Sequence, residues 1–198
     1  MTDVSKNRSS SYIITSTWLP IFQPGVGDGG SAPRNIIGTL NRWVPIDFIN
    51  NNQVDCALAE VTAPWNNFAT RNVFGIGTPN NIGAGGVGQD IRKSGRTTQL
   101  TFGTILSNNA TLNVNLGGRT ARFVNQLQYT RMTAGGDSGS FIFDRNSLTV
   151  VGLHFAGGGS YSYGNKIDIV LQSLSQSFTT FSFSGKKTSF DEVKISLF

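Results

Sequence analysis

The stretch TAGGDSGS at residues 133–140 carries the strongest chemical signal in the 198-residue sequence. A serine hydroxyl is a poor nucleophile until a base accepts its proton and nearby donors stabilise the developing oxyanion. The glycines around Asp137 and Ser138 let the backbone turn sharply and aim its N–H groups at one point. By itself the stretch fits either a nucleophile loop or a glycine-rich β-turn, so the surrounding segments have to distinguish the two.

The residues around this stretch have the alternation and turn signals of short β-strands. Apolar residues alternate with polar ones over 112–116, two glycines follow, and a second strand pattern covers 123–129. This arrangement predicts a β-hairpin. Residues 140–143 and 148–155 predict another strand pair, directly after the serine.

The remaining segments also favour strands, with one helix near the end. Strands are predicted within residues 12–22 and 35–46, and the apolar run 54–61 fits either a strand or a short helix. The Gly- and Asn-rich residues 74–88 predict a loop. Apolar residues at helical spacing predict a helix over 166–178.

The composition favours an all-β protein and excludes several functional classes. Only 14% of the residues are charged, while 24 glycines and 14 phenylalanines supply turns and a core. The net charge of +5 is spread along the chain, without a basic run interleaved with aromatic residues, so we expect no nucleic-acid partner. No apolar run approaches the length of a membrane span, so we expect no membrane partner either.

The cysteine and histidine content argues against a metal site or an internal disulfide. With one Cys and one His, a zinc site made of these ligands is excluded, and we expect no metal and no cofactor. Cys56 lies in an apolar run and is predicted to be a buried small hydrophobe. A single cysteine fits a reducing compartment, or a bacterial or viral protein that does not depend on disulfides. The polar start lacks an apolar signal region, so we expect a protein that stays inside the cell or one that has lost an export segment.

Three further segments resemble those of bacterial trypsin-like serine peptidases, and they follow that family's order. Residues 54–59, VDCALA, resemble the segment that carries the triad aspartate. Residues 92–98, RKSGRTT, followed by 103–105, GTI, resemble a second family segment, in which Gln99 stands where glycine is usual. Residues 151–158, VGLHFAGG, resemble the substrate-binding strand that follows the nucleophile.

This resemblance implies an all-β, chymotrypsin-like fold of two six-stranded barrels with a short C-terminal helix. It would place an N-terminal barrel in residues 1–85, and a C-terminal barrel with the nucleophile loop and the helix in residues 86–198. Because no histidine precedes the aspartate segment, we expect the N-terminal barrel to be incomplete or altered.

The resemblance also implies a role for each matched residue. Ser138 would attack the scissile carbonyl, Asp55 would orient the catalytic histidine, and the N–H groups of Gly136 and Ser138 would form the oxyanion hole. The expected substrate is therefore a peptide or protein. Its backbone would pair, as an added strand, with Phe155, Ala156 and Gly157.

The sequence lacks the histidine that such a triad needs as its base. Its only histidine follows the serine, whereas the family's base precedes the aspartate. Three explanations are open. The chain could be truncated, with residues 2–7 lying about where the family has its histidine element; Trp18 could replace the histidine in a natural pseudoprotease; or Lys6 or Lys93 could act as the base.

The single histidine, His154, fits two interpretations. A lone histidine in an apolar strand is typical of a hydrogen-bonded core residue. The strand GLHFAGG nevertheless resembles that of glutamyl endopeptidases, in which this histidine lines the specificity pocket and a threonine at the position of Thr133 assists it. This second resemblance implies a preference for Glu or Asp side chains.

We therefore expect a serine endopeptidase homologue whose activity is in doubt for lack of the base. The alternative is a catalytically inactive module that binds an extended peptide or a protein.

Overall fold

The computed structural model describes residues 19–67, 69–175 and 193–194, which form two β-sheets and one α-helix. The helix α1 spans Ile167–Leu174. In chain order the strands are β1 (Pro20–Phe22), β2 (Ile36–Trp43), β3 (Asn51–Asn52), β4 (Ala57–Val61), β5 (Asn81–Ile82), β6 (Asp90–Gly95), β7 (Gln99–Leu116), β8 (Arg119–Thr130), β9 (Phe141–Asp144), β10 (Thr149–Gly158), β11 (Tyr161–Lys166) and β12 (Val193–Lys194).

Six of these strands close into an antiparallel barrel. Strand β6 lies between β7 and β9, β10 lies between β9 and β11, and β11 returns to pair with β8, the partner of β7. Side chains fill the interior of such a small barrel. Here the buried cluster consists of Ile91, Ile105, Leu127, Tyr129, Met132, Ile142 and Val151.

The other sheet has four strands in the described part of the chain, in the order β1-β2-β4-β12, and all of its pairings are antiparallel. The described residues therefore form an open sheet where the family resemblance implies a six-stranded barrel, and an incomplete or altered N-terminal barrel stays a prediction. The mostly β architecture with one short helix after the second barrel confirms the predicted fold class.

The predicted strands and helix are found, with different lengths. The hairpin is the β7–β8 pair, and the two strands after the serine are β9 and β10. The predicted helix over 166–178 is α1, which ends at Leu174, and residues 176–178 lie outside the described residues. The ambiguous run 54–61 contains strand β4, not a helix, because its 57–61 backbone pairs with β2. In the predicted strand 12–22, only 19–22 are described, and they include β1.

A second apolar cluster joins the four-stranded sheet to the barrel. Helix α1 buries Ile167, Val170 and Leu174, which lie on one face of the helix. These side chains pack with residues from β9, from β10 and from the start of β4. Burying one such aliphatic side chain stabilises the fold by about 1.5–3 kcal/mol, so this contact fixes the aspartate segment 54–59 against the barrel.

Gln99 occupies a backbone conformation that explains why glycine is usual there. Its φ of 53° lies in the left-handed region, which costs a residue with a side chain about 1–2 kcal/mol. The residue begins β7, directly after the β6–β7 turn at residues 96–98. The departure from the family pattern therefore leaves the turn in place and adds a side chain beside it.

Candidate functional site

The GDSG loop, which we define as residues 131–140 between β8 and β9, is built around the fully buried carboxylate of Asp137. One carboxylate oxygen accepts hydrogen bonds from the N–H groups of Thr97 (2.8 Å) and Thr98 (3.1 Å). The other accepts from the Ala134 N–H (2.9 Å) and the Thr98 hydroxyl (2.6 Å). Burial acts to raise the pKa of Asp137, but these hydrogen bonds outweigh it and hold the pKa well below its ordinary value. The carboxylate therefore ties the β6–β7 turn to the loop.

Lys93 of β6 supplies the opposite charge. Its Nζ lies 3.4 Å from a carboxylate oxygen of Asp137, and both side chains are fully buried. The ammonium also donates hydrogen bonds to the Thr98 hydroxyl and, at 2.9 Å, to the Gln99 carbonyl. Burial lowers the pKa of Lys93, while the charge of Asp137 opposes that shift. Among the described residues none of its hydrogen bonds reaches Ser138, so its contacts hold the loop.

The end of β6 passes so close to the GDSG loop that position 95 has no room for a side chain. A Cβ at Gly95 would lie 2.5 Å from Asp137 Oδ1 and 2.6 Å from Ser140 Oγ. Both atoms are already committed, since the Ser140 hydroxyl donates to the Asp137 carbonyl at 2.6 Å and Oδ1 accepts two N–H groups. The glycine of the RKSGRTT segment is required by this close approach.

Ser138 lies half-buried beside β10. Its hydroxyl donates a hydrogen bond to the carbonyl oxygen of Phe155 at 3.4 Å. The preceding glycine, Gly136, has a φ of 96°, and a Cβ there would lie 2.5 Å from Thr97 Oγ1. Position 136 therefore needs glycine for two reasons, the left-handed backbone and the contact with the β6–β7 turn.

The N–H groups of the loop divide into used and unused donors. Those of Asp137, Gly139 and Ser140 donate to backbone carbonyls. Those of Gly136 and Ser138 have no acceptor within the described residues, and the same holds for Thr133 and Gly135 farther from the serine in sequence. Two unpaired N–H groups beside a serine hydroxyl are what stabilisation of an oxyanion requires.

A cleft of about 780 Å³ opens on one side of Ser138. Its walls come from the GDSG loop, from the β6–β7 turn, from the segment after β4 and from the residue after β1. The lining residues are Gln23, Asn72, Val73, Phe74, Ser94, Gly95, Arg96, Gln99, Gly136, Ser138, Gly139 and Ser140. None of residues 155–157 of strand β10 lines it.

Asp55 lies half-buried between β3 and β4. Its N–H donates to the Asn165 side-chain oxygen at 3.1 Å, and Asn165 pairs with Leu153 of β10. The aspartate segment is thus held against the strand that leads to Phe155. No histidine stands between Asp55 and Ser138, since the one histidine of the sequence lies within β10.

His154 is only 2% exposed, and its ring is held by two neighbours. Nδ1 lies 2.7 Å from the Tyr129 hydroxyl and 3.0 Å from the Tyr163 carbonyl oxygen. Because a carbonyl only accepts, Nδ1 carries the hydrogen, and Nε2 of the neutral ring is an acceptor. Burial lowers the pKa of His154 to about 4, so the ring is neutral near pH 7.

Thr133 is also buried, and its hydroxyl lies 2.7 Å from the Ser162 hydroxyl. Its Oγ1 would be 3.2 Å from a Cβ placed on Gly157. Thr133 therefore packs beside the end of β10, and β11 holds both Thr133 and His154 through neighbouring residues.

The segment formed by Phe155, Ala156 and Gly157 has one paired edge. Ala156 and Gly157 pair with β11, and the Phe155 ring packs on Phe123 with centroids 4.8 Å apart. On the opposite edge, His154 exchanges backbone hydrogen bonds with Gly139 and Ser140. Beyond His154 this edge pairs with no strand among the described residues. Its one contact there is the hydrogen bond from the Ser138 hydroxyl to the Phe155 carbonyl.

Some candidates fall outside this description. Trp18 and Lys6, considered as a replacement for the histidine and as a base, lie outside the described residues. The described residues contain no group of three His, Cys, Asp or Glu side chains that could hold a metal. None of their helices is long and apolar enough to cross a membrane.

Several residues of the site carry no sequence signal. Phe74, which is 82% exposed, and Gln23 reach the cleft from segments distant in the chain. Arg96 belongs to a matched segment, but its ion pair with Asp28 joins positions that no motif connects. Only tertiary structure brings such residues together.

The fold resembles those of bacterial serine proteases. A glutamic acid-specific serine protease, described as using a novel histidine triad in substrate binding, is similar with a TM-score of 0.54 and 23% identity over 75% of this chain and 74% of that one. Cellulomonas bogoriensis chymotrypsin has a TM-score of 0.54 and 20% identity over 74% of this chain and 77% of its own. Nocardiopsis protease has a TM-score of 0.53 and 18% identity over 69% and 70%.

No sequence family and no curated protein matches the chain at a significant level. At these identities the structural similarity establishes the chymotrypsin-like fold. The mostly β architecture and the one short helix of the described residues agree with it.

The close approach at position 95 predicts that Gly95→Ala destabilises the protein by about 1–3 kcal/mol, because the added methyl overpacks a site that cannot yield. Urea denaturation of the wild type and the variant measures the free energy of unfolding. Gly135→Ala, in the GDSG loop that Gly95 approaches, is the matched control, since nothing lies within 4 Å of its Cβ position, and it should change stability by less than about 0.5 kcal/mol. Equal effects of the two substitutions would contradict the packing described for Asp137.

The environment of His154 predicts a loss of stability on acidification. The pKa is about 4 in the folded protein and near 6.5 unfolded, so the unfolded state binds the proton first. The contribution of neutral His154 to the free energy of unfolding is complete above pH 6.5. It declines as the pH falls toward 4, by an amount on the order of 3 kcal/mol. Since the sequence has one histidine, a single ring C–H resonance in NMR reports its pKa directly. A midpoint near 6.5 would contradict the buried, neutral ring.

Proposed function

We propose that this chain is a serine endopeptidase homologue that binds an extended peptide across Ser138. The observation that carries the proposal is the pair of N–H groups, from Gly136 and Ser138, that the Asp137 carboxylate leaves unpaired beside the serine hydroxyl. A peptide carbonyl is the group that such a donor pair accommodates. Ser138 would then be the residue that faces the bound carbonyl carbon.

The free edge of residues 155–157 supports binding of the peptide backbone as an added strand. The Phe155 carbonyl accepts the Ser138 hydroxyl and therefore faces the serine, not β11. Polar groups of a strand alternate between its two edges, which favours Gly157 as the next residue to face the same side. An extended peptide could donate to Phe155 and pair with Gly157, with its scissile carbonyl over the N–H pair.

Hydrolysis by Ser138 needs a general base, and the only histidine of these 198 residues is His154. His154 is buried, neutral and bonded to Tyr129 and Tyr163, so it does not take the proton of Ser138. Loss of a triad member lowers the rate of hydrolysis by several powers of ten. The oxyanion donors and substrate binding then account for the low activity that remains. We therefore propose that the chain binds peptides and transfers an acyl group to Ser138 only slowly. In this proposal Asp55 occupies the position of the aspartate that would orient a catalytic histidine.

A catalytically inactive binding module is the second candidate. The unpaired edge of β10 favours it, because that edge can bind a peptide without any reaction at Ser138. The two candidates differ in the reactivity of the serine and share the binding mode.

The preference for Glu or Asp at His154 stays a prediction, and the structure sharpens its requirement. A neutral ring with a hydrogen on Nδ1 presents an acceptor at Nε2, which repels a carboxylate. Recognition of a carboxylate would need a protonated ring, and Thr133 beside Gly157 would supply a hydroxyl. The glutamic acid-specific relative is described with a triad of histidines, whereas this sequence has one.

A fluorophosphonate probe and a peptide-binding assay test the proposal together. Because a base is lacking, we expect very slow labelling of the wild type and none in Ser138→Ala, whereas both proteins should bind an extended peptide with similar affinity. Binding can be measured by calorimetry. Failure of both proteins to bind extended peptides would overturn the proposal. Rapid labelling that Ser138→Ala abolishes would contradict the lack of a base and show that a group other than histidine activates the serine.

A further inference from the structure

The cleft beside Ser138 is lined by Gly136, Ser138 and Arg96 of the β6–β7 turn, and not by residues 155–157 of β10. In the proposed function the acyl part of a peptide lies along β10, with its carbonyl over the N–H pair. Because the cleft borders Ser138 and Gly136 without including that strand segment, we assign the residues after the seated carbonyl to the cleft, a placement that rests on the proposed function.

The only positively charged side chain that lines this cleft among the described residues is Arg96. One of its terminal nitrogens would be 2.9 Å from a Cβ on Gly136, so the guanidinium lies directly against the backbone of the oxyanion donor. The same nitrogen donates a hydrogen bond to Thr97 Oγ1 at 3.3 Å, and Thr97 Oγ1 donates to the Gly135 carbonyl at 2.8 Å. Arg96 is thus attached to the GDSG loop and keeps part of its guanidinium toward the cleft.

The other terminal nitrogen of Arg96 is paired with Asp28, at the end of the 3-10 turn Val26–Asp28. The two side chains are 60% and 40% exposed. An exposed pair of this kind contributes little stability, because water solvates both charges and the side chains lose freedom. A carboxylate from outside can therefore take the place of Asp28 at small cost.

We infer that Arg96 is a specificity-determining residue that selects peptides with an acidic side chain shortly after the carbonyl seated at Ser138. A carboxylate at that point forms a charge-assisted hydrogen bond with the guanidinium. Asp28 is its competitor within the chain and occupies Arg96 when no such ligand is bound. This preference differs from the one predicted at His154, since Arg96 lines the cleft and the buried His154 does not.

The experiment compares the affinities of extended peptides in which one residue at a time is changed from Asn to Asp, in Ser138→Ala protein so that no peptide is consumed. We expect Asp to improve affinity about threefold at one or two adjacent positions in the C-terminal half of the peptide. In Arg96→Gln the gain should vanish. In Asp28→Asn, where the competitor is neutral, it should grow to about tenfold.

Arg145 provides the matched control. It forms a similarly exposed ion pair with Asp90, at 3.8 Å, and neither residue lines the cleft. Arg145→Gln removes the same charge from the protein and should leave the gain from Asp unchanged, which separates a local contact from a general effect of net charge. The gain should also shrink with added salt in every variant that retains Arg96.

The outcomes distinguish this inference from the proposed function. If the all-Asn peptide does not bind at all, the proposed function fails. If it binds but Asp and Asn peptides are equivalent in Ser138→Ala protein that keeps Arg96, or if Arg96→Gln and Arg145→Gln reduce the gain equally, the inference about Arg96 is wrong while peptide binding stands.

Discussion

The buried carboxylate of Asp137 holds together the parts on which the rest of the site depends. Its hydrogen bonds from Thr97, Thr98 and Ala134 join the β6–β7 turn to the GDSG loop, and Lys93 balances its charge in the interior. Removing one partner of a buried pair typically costs about 3–5 kcal/mol, because the other charge is left uncompensated. The N–H groups of Asp137, Gly139 and Ser140 donate to backbone carbonyls, while those of Gly136 and Ser138 have no acceptor among the described residues. One interaction therefore stabilises the barrel end and shapes the place where a carbonyl can bind.

The proposed site has groups that could bind a peptide and lacks a histidine base. The N–H groups of Gly136 and Ser138 and the 155–157 edge of β10 have no partner strand or acceptor among the described residues, and Asp55 is held beside β10 by Asn165. The only histidine of the sequence is committed to the barrel interior, where Tyr129 and Tyr163 bind its ring. The proposed function therefore assigns peptide binding to these groups, and no histidine is placed to accept the proton of Ser138. Binding and turnover are separable properties of this fold.

Much of this could be predicted from the sequence, because the decisive residues lie in short contiguous segments. The GDSG stretch, the RKSGRTT segment and the alternating strands gave the fold class, the barrel hairpin and the helix. The run 54–61 was ambiguous because β4 is apolar on both faces, so its pairing with β2 and not its period decides its structure. Contacts between distant segments explain three features that the sequence does not reveal. They are the need for glycine at position 95, the ion pair of Lys93 with Asp137, and the ion pair of Arg96 with Asp28. The neutral state of His154 follows from burial, which a motif does not report.

We propose above all that the N–H groups of Gly136 and Ser138, which have no acceptor among the described residues, are positioned by the Asp137 loop to bind a carbonyl oxygen. Amide NMR tests it most directly, by titrating ¹⁵N-labelled Ser138→Ala protein with an extended peptide that ends in a C-terminal carboxylate. The account predicts that the amide protons of residues 136 and 138 move downfield together, as new acceptors bind them, while those of Thr97 and Thr98 stay where Asp137 holds them. Peptide binding that leaves residues 136 and 138 unshifted would contradict the account.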